Sequence, residues 1–478
     1  MGELRKDALG FVHSVALAVA GSAPSFSISA TLTTLFAAVG ILAPASLVYC
    51  GLIMLGITLA YRHLNAEAPN AGAAYSWGSA IIGRVPGFFA GWALLVSSVL
   101  FMVSATLPAG AATLILVAPQ LASSQTAVTA CAAGWLILVT MIVVRGITLS
   151  GRVQAVMTAI ELVIIAALAL AALIKFLPGG LHAVSLHDLS PFAFSPSGFA
   201  SGAMIALFIF WGWDVSLNVS EETKEPDRLP GFGAVGGMII LVVIFAGLAT
   251  VILLTLSDRE INASVTNVVF AAADKLFPRP WSYLAILALL LSTVGTVQTQ
   301  MLQFSRTMFA QARDGSLHPR WSRVHRFWQT PYLSTLLISG LGLLLLFASL
   351  GSRNIAEVMR ESINAIGVLA AYYYGIAGIA CAFRYRHELR GSWRRAIGKV
   401  IWPALSAAAL FWAAIVTMAS FDAVTTVITV GSMMLGIIPL RRNRPAQGWS
   451  AAEVVNPLPP ATPARPASVS PSGSPRRI

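Results

Sequence analysis

The sequence predicts an all-α, polytopic membrane protein: twelve transmembrane helices on a five-plus-five inverted-repeat core, with helices 1 and 6 interrupted. Three observations predict it. Hydrophobic residues make up 57% of the chain and charged residues 10%, against about 25% charged in an average soluble domain. The apolar residues fall in runs long enough to cross a bilayer. Two of those runs, at matching positions of the two halves, carry helix-breaking residues at mid-depth.

Composition excludes several classes. Mean hydropathy is +0.78, and a soluble globule of 478 residues could not hide so much apolar surface. A net charge of +12 taken alone would suggest a nucleic-acid partner. The charges, however, sit in short segments between apolar runs, as the positive-inside rule requires. The expected partner is therefore the lipid bilayer and not nucleic acid. Cys50, Cys131 and Cys381 lie in apolar runs without paired spacing, which predicts neither a disulfide framework nor a metal site. No Walker A run, His-Glu-x-x-His or Gly-x-Ser-x-Gly occurs, so ATP-driven and hydrolytic readings lack sequence support and no cofactor is expected.

The first span needs care, because residues 1–23 mimic a signal peptide. Arg5 and Lys6 precede an apolar stretch that ends in Ala20-Gly21-Ser22-Ala23. The apolar run resumes after Pro24 and reaches Ala38, so cleavage would leave half a span. We read one transmembrane helix with a break in the middle. Further spans of about 20 apolar residues follow, giving 11–38, 41–62, 83–111, 126–145, 152–176, 197–222, 231–256, 281–306, 331–350, 357–383, 399–419 and 422–440. The charges test this count. With both termini inside, the first four inside segments hold two Lys or Arg each. The later three hold five (Arg306 to Arg326), six (Arg384 to Lys399) and six (Arg441 to Arg477), which accounts for 25 of the 31. The outside segments hold only Lys175, Arg259, Lys275, Arg279, Arg353 and Arg360, the asymmetry that a correct count produces. The expected organisation is a twelve-helix domain over 1–440 (first repeat 11–176, second repeat 197–383, two extra helices 399–440). A Pro-, Ser- and Ala-rich tail over 441–478 follows, too polar to order itself. Scarce lysine and abundant alanine hint at a GC-rich bacterial genome, hence a bacterial cytoplasmic membrane.

Span 1 carries Gly21-Ser22-Ala23-Pro24-Ser25 at mid-depth, and span 6 carries Phe210-Trp211-Gly212-Trp213-Asp214. Proline removes an amide donor and clashes with the preceding turn, and glycine weakens the helix further. Irregular backbone inside a bilayer survives only where protein or a watery cavity satisfies it. Spans 1 and 6 each open a set of five, and interrupted helices at matching positions mark an inverted-repeat transporter. Free amides at such a break hold a carboxylate and free carbonyls hold an ammonium. The predicted substrate is a zwitterionic amino acid or a close relative.

Three further stretches resemble the amino acid–polyamine–organocation transporters, and the likeness covers nearly all of residues 8–440. Glu67-Ala-Pro69-Asn-Ala-Gly72-Ala-Ala-Tyr75, with Gly83 and Gly87-Phe88-Phe89-Ala90-Gly91-Trp92 behind it, resembles the family's loop after helix 2. Glu221-Glu222-Thr-Lys-Glu-Pro226-Asp-Arg228-Leu-Pro230 is similar to its exit from helix 6. The run from Ser305-Arg306 through Ala312-Arg313-Asp314-Gly315-Ser-Leu-His-Pro319 to Thr330-Pro331 matches its signature after helix 8. The resemblance implies a ten-helix inverted-repeat core plus two helices. It also implies substrate held between helices 1 and 6, with helices 3, 8 and 10 contributing. The chain departs from the pattern in two places. Ala23-Pro24 follows Gly21-Ser22 where the family usually reads Gly-Ser-Gly-Ile, and Glu161 stands where many relatives place a helix 5 lysine.

The candidate site residues follow. The substrate set is Gly21, Ser22, Ala23 and Ser25 at the first break, and Phe208, Trp211 and Gly212 at the second. Thr296 and Gln300 complete it, four apart on one face of span 8. Glu161 lies about ten residues into span 5, where a carboxylate costs about 2.5–3.5 kcal/mol. It reads as a proton carrier, as a partner for a cationic substrate, or as a structural acid bonded to a neighbouring helix. Asp214 follows the second break and reads as a second proton-coupling acid, by resemblance, or as the cap of the half-helix behind it. Sodium coupling would draw on Ser292 or Thr293 with helix 1 carbonyls, though such hydroxyls also serve as interhelical glue. His182, His187 and Asp188 read as a solvated outer loop. The expected function is proton-coupled uptake of an amino acid by alternating access, with no enzymatic activity. The alternatives are a polyamine or cationic amino acid transporter, a solute exchanger, and a solute sensor that binds without transporting.

Overall fold

A computed structural model describes residues 2–176, 179–182, 185–264, 267–351 and 355–443; most of the expected tail, 444–478, lies outside the described residues. The architecture is all helical. The first crossing is split into α1 (Phe11–Gly21) and α2 (Pro24–Val39), with Pro24 at the first helical position of α2. Amides of a helix's first turn have no intrahelical partner, so a proline there removes no bond of the helix. Ala23 joins them in the left-handed region at φ 47°, which turns the chain rather than continuing the helix. Next come α3 (Ala43–Glu67), the short α4 (Ala74–Ile81), α5 (Arg84–Val117), α6 (Gln125–Val144) and α7 (Ile147–Phe176). The second half repeats the opening: α8 (Pro196–Ile209) stops, an irregular stretch follows, and only α9 (Val215–Asn218) re-forms before α10 (Leu229–Thr255). Two short helices, α11 (Asp258–Ser264) and α12 (Val268–Leu276), precede α13 (Leu284–Arg313), α14 (Tyr332–Ala348) and α15 (Ile355–Arg384). Each of the last two crossings contains a π-helical turn, at Ile397–Ile401 and Val427–Gly431.

Ten stretches among the described residues are long and apolar enough to cross a membrane. The difference from the expected twelve has two physical sources. The first stretch, Phe11–Glu67, runs 57 residues and takes in expected spans 1 and 2. At about 1.5 Å per residue it is far longer than one crossing of a roughly 30 Å core. Expected span 6 escapes because its break leaves only the 14 residues of α8 continuous.

Packing sets the broken helices at the centre. α1 lies against α10 and α7, α2 against α8 and α13, and α13 along α5 and α7. α13 holds the most polar sequence of the long helices, yet Gln298, Gln300, Gln303 and Arg306 are all buried; it is an interior helix rather than a lipid-facing one. At the end of the bundle near the start of the chain, the amides of Ala8 and Leu9 donate to the Glu222 carbonyl at 2.9 and 3.1 Å, and Lys224 returns a bond to Leu9. The segment entering α1 is thus stitched to the segment leaving α9. Arg306 and Glu222 form a bidentate ion pair at 2.8 and 3.0 Å with both side chains fully buried.

Candidate functional site

The two breaks meet backbone to backbone. A Cβ placed on Gly21 would collide with the Gly212 carbonyl, and one on Gly212 would collide with the Gly21 carbonyl. Gly212 also has φ 101°, a conformation that L side chains rarely adopt. Glycine is therefore required at both positions by the same contact seen from its two sides.

Polar side chains from neighbouring helices satisfy the irregular backbone. Thr296 on α13 donates to the Gly21 carbonyl at 3.0 Å. Ser22 donates to the Phe210 carbonyl at 3.5 Å, linking the two breaks directly. At the start of α2, the Ser25 amide donates to Glu161 Oε1 at 3.0 Å and the Phe26 amide to Ser292 Oγ at 3.3 Å. Buried backbone donors inside a membrane need such partners. Glu161 is 2% exposed, and it is the acid from a neighbouring helix that completes α2's first turn. Ser292, which the sequence offered as a sodium ligand, holds the next amide.

The second break is organised by α15. The Trp211 indole donates to the Tyr373 hydroxyl at 2.7 Å, and the Gly212 amide donates to the Tyr374 hydroxyl at 3.1 Å. Tyr374 donates in turn to Asp214 Oδ1 at 2.7 Å, while Gln303 donates to Asp214 Oδ2 at 2.5 Å. Asp214 is fully buried. Its side chain makes no capping bond to α9, so the helix-cap reading is replaced by a tyrosine–glutamine clamp. Gln303 also reaches Asn218, which donates to Thr307 and to the Ala71 carbonyl.

Aromatic rings surround the junction. Phe101 packs edge-on against Trp211 with centroids 4.9 Å apart and reaches Phe26 and Phe208 at 6.0 and 6.5 Å. Trp213 stacks on Tyr374 at 5.5 Å, and Tyr61 meets Trp213 at 5.1 Å. Gln300 accepts a bond from Ser98, but its Nε2, beside Gly212, has no protein partner. The structure thus brings Gly21, Ser22, Ala23, Ser25, Phe208, Trp211, Gly212, Thr296, Gln300, Glu161 and Asp214 into one region. Sequence reasoning missed Tyr373, Tyr374, Gln303 and Phe101. The run Tyr372-Tyr373-Tyr374 inside an apolar span was the available signal for two of them. Of the residues read as a solvated loop, His182 is held rather than free: its ring nitrogens contact the Leu253 carbonyl at 2.7 Å and Asp258 at 2.6 Å.

An all-helical bundle, crossed repeatedly by apolar helices and with two broken ones touching at its centre, defines a multi-pass membrane transporter. Residues 9–449 match the family model described as amino acid permease, and the chain belongs to that family. Among its relatives are the serine/threonine exchanger SteT of Bacillus subtilis, 24% identical over 44% of this chain and 46% of that protein, so the chain spans about half the length of that relative. The low-affinity putrescine importer PlaP of Escherichia coli is 25% identical over 72% of this chain and 74% of that one. A solved structure, a mutant form of the manganese transporter of Eremococcus coleocola, superposes with a TM-score of 0.58 over 90% of this chain and 93% of that chain, at 12% identity. At that identity the likeness shows the fold alone.

Proposed function

We propose that the chain is a secondary active permease that takes up an amino acid or a related amine by alternating access, driven by protons. In this reading it sits in a bacterial cytoplasmic membrane with both termini inside. Twelve crossings form the two repeats and two extra helices given above. The observation that carries the reading is the junction of Gly21 with Gly212, flanked on its two sides by the buried acids Glu161 and Asp214. Such a junction gathers polar groups in a site closed to lipid, among them the Gln300 Nε2 beside Gly212, which has no protein partner and is available to a small polar solute. The relatives named as an amino acid exchanger and a putrescine importer fit the same class of cargo.

Mechanistically, helices 1 and 6 rock with 2 and 7 against a scaffold of 3, 4, 8 and 9, opening the junction to each side in turn. Phe208 and Trp211 close over the solute. Thr296 and Gln300 face it from α13. A proton neutralises Glu161 or Asp214 and so removes the cost of carrying a buried carboxylate through the cycle. One proton moving down 100 mV supplies about 2.3 kcal/mol, roughly 1.6 decades of accumulation at about 1.4 kcal/mol per decade.

The test is uptake of radiolabelled amino acids and polyamines into proteoliposomes, with and without an imposed inward proton gradient. Gradient-stimulated accumulation that is lost in Glu161→Gln or Asp214→Asn supports the reading. Uptake that needs preloaded solute and ignores the gradient means exchange, and it would remove the proton step.

A further inference from the structure

We infer that the cargo is an amine without an α-carboxylate, because Glu161 already occupies the anion-binding end of α2. This rests on the permease reading above and concerns the same site. A zwitterionic amino acid would be expected to place its carboxylate on free amides at the first break. Those amides are taken. Pro24 has none; Ser25 donates to Glu161 at 3.0 Å and Phe26 to Ser292 at 3.3 Å. Ser27 bonds to the Ala23 carbonyl at 2.8 Å, while Ser22 and Ala23 close turns on Val19 and Ala20 at 3.2 and 3.1 Å. From Ser22 to Ser27 every backbone donor has a partner. The positive end of the half-helix faces a carboxylate supplied by the chain itself. An incoming carboxylate would have to displace Glu161 and then lie beside it, two like charges in a site shut off from water.

The charge inventory points the same way. Among the described residues the buried ionisable acids are Glu161, Asp214, Glu222 and Asp314, and the one buried cation is Arg306. Arg306 is engaged with Glu222 far along α13. Asp214 is held by neutral donors, Tyr374 and Gln303, and Glu161 by an amide. Neither acid at the junction has a basic partner there. A zwitterion would bring one charge of each sign and leave this imbalance in place; an amine would bring positive charge alone. Phe26, Phe101, Phe208 and Trp211 cluster beside the breaks, and an aromatic face attracts an ammonium by about 0.5–2 kcal/mol where water is excluded. Glu161 is then a specificity-determining residue: it supplies in place the carboxylate that an amino acid would carry in.

Equilibrium binding to the purified full-length protein tests this with pairs that differ only by the carboxylate: 1,4-diaminobutane against L-ornithine, 1,5-diaminopentane against L-lysine, agmatine against L-arginine, and isobutylamine against L-valine. In at least one pair the amine binds about tenfold or more tightly than its parent amino acid. Glu161→Ala frees the Ser25 amide and removes the competing charge, and it shrinks that ratio at least about tenfold. Glu161→Gln keeps an oxygen acceptor for Ser25, so it reads the charge effect in a fold with its cap intact; there too the ratio falls. Wild-type protein that binds the amino acids as tightly as the amines would overturn the inference while leaving the permease reading standing. So would a ratio that neither variant moves. Failure to bind either member of any pair would remove the permease reading, and this inference with it.

Discussion

Replacing Arg306 by methionine tests the least replaceable electrostatic contact in the fold. The guanidinium is fully buried and makes two bonds to Glu222, at 2.8 and 3.0 Å, and a third at 3.0 Å to Ser305. Glu222 has no other cation among the described residues. Its backbone carbonyl also anchors Ala8 and Leu9, so a displaced Glu222 loosens the entry to α1 as well. Methionine keeps the aliphatic volume and leaves a carboxylate stranded. Breaking a buried pair from one side costs about 3–5 kcal/mol, whereas removing both charges is often close to neutral. The measurement is unfolding free energy in mixed micelles for Arg306→Met, Glu222→Gln and the double variant. The expected result is a loss of about 3–5 kcal/mol for Arg306→Met, with at least about 2 kcal/mol recovered in the double variant relative to the sum of the singles. If Arg306→Met costs under about 1 kcal/mol, or the two losses simply add, the pair does not hold the segment after α9 to α13.

Four other outcomes follow from the same geometry. Gly212→Ala must push a methyl into the Gly21 carbonyl at a positive φ; uptake is lost and stability falls by roughly 2–4 kcal/mol, whereas Gly134→Ala, with nothing near its Cβ position, leaves both unchanged. Tyr374→Phe removes the donor to Asp214 and the acceptor for the Gly212 amide, and a loss of about 1–3 kcal/mol in thermal or chemical unfolding is expected. Asp314, beyond the end of α13, is pushed up to about 6 by burial, against the pull of Arg313. A raised carboxyl stabilises the fold fully below its ordinary value near 3.8 and loses that contribution as pH rises through 6, so the advantage of Asp314→Asn over wild type grows between about pH 4 and pH 7, by at most about 3 kcal/mol. In the short helix α11, Glu260 is held down to about 2 by bonds from Lys275 and Ser257. It is half exposed, so Glu260→Gln costs no more than about 1 kcal/mol, read as a small shift in melting temperature.

The sequence carried the fold because a bilayer enforces a coarse grammar. Apolar length and the distribution of Lys and Arg are one-dimensional properties, and they locate spans without knowledge of packing. The breaks were legible for a similar reason: Gly21, Pro24 and Gly212 act on their own backbone. The span count was less secure where a break left no continuous run, as at α8. What could not be read was which side chains would satisfy the broken backbone. Tyr374 reaches Asp214 across 160 positions of sequence and Ser292 reaches Phe26 across 266, and nothing local to either partner specifies the other. Asp214 shows the consequence. A sequence rule correctly placed it before a half-helix, but the tertiary donors Tyr374 and Gln303 outcompeted the local cap.

Those long-range bonds also bear on how the proposed rocking could be driven. Besides the Ser22 bond to helix 6, which moves with it, helix 1 is tied at its break to α7 and α13 by three of them: Thr296 to the Gly21 carbonyl, the Ser25 amide to Glu161, and the Phe26 amide to Ser292. At about 1 kcal/mol net for each, releasing all three costs about 3 kcal/mol, close to the roughly 2.3 kcal/mol that one proton supplies across 100 mV. Helices 1 and 6 meet at their breaks through Cβ-free backbone, Gly21 on Gly212, and pack side by side through α2 and α8; in the proposed cycle they move together, so this contact is not broken. The polar ties to α7 and α13 are the contacts that the proposed motion must release. Glu161 is the tie whose strength a single proton can change, since a neutral carboxyl is a weaker acceptor for the Ser25 amide than a carboxylate. In the proposed cycle, protonating it loosens α2 from α7 as the proton is taken up. Glu161→Gln should therefore mimic the protonated state, giving solute flux that no longer responds to an imposed proton gradient, with Ser25 still partnered. A Glu161→Gln protein that still accumulates solute up to the limit set by the gradient would place the coupling proton on Asp214 instead.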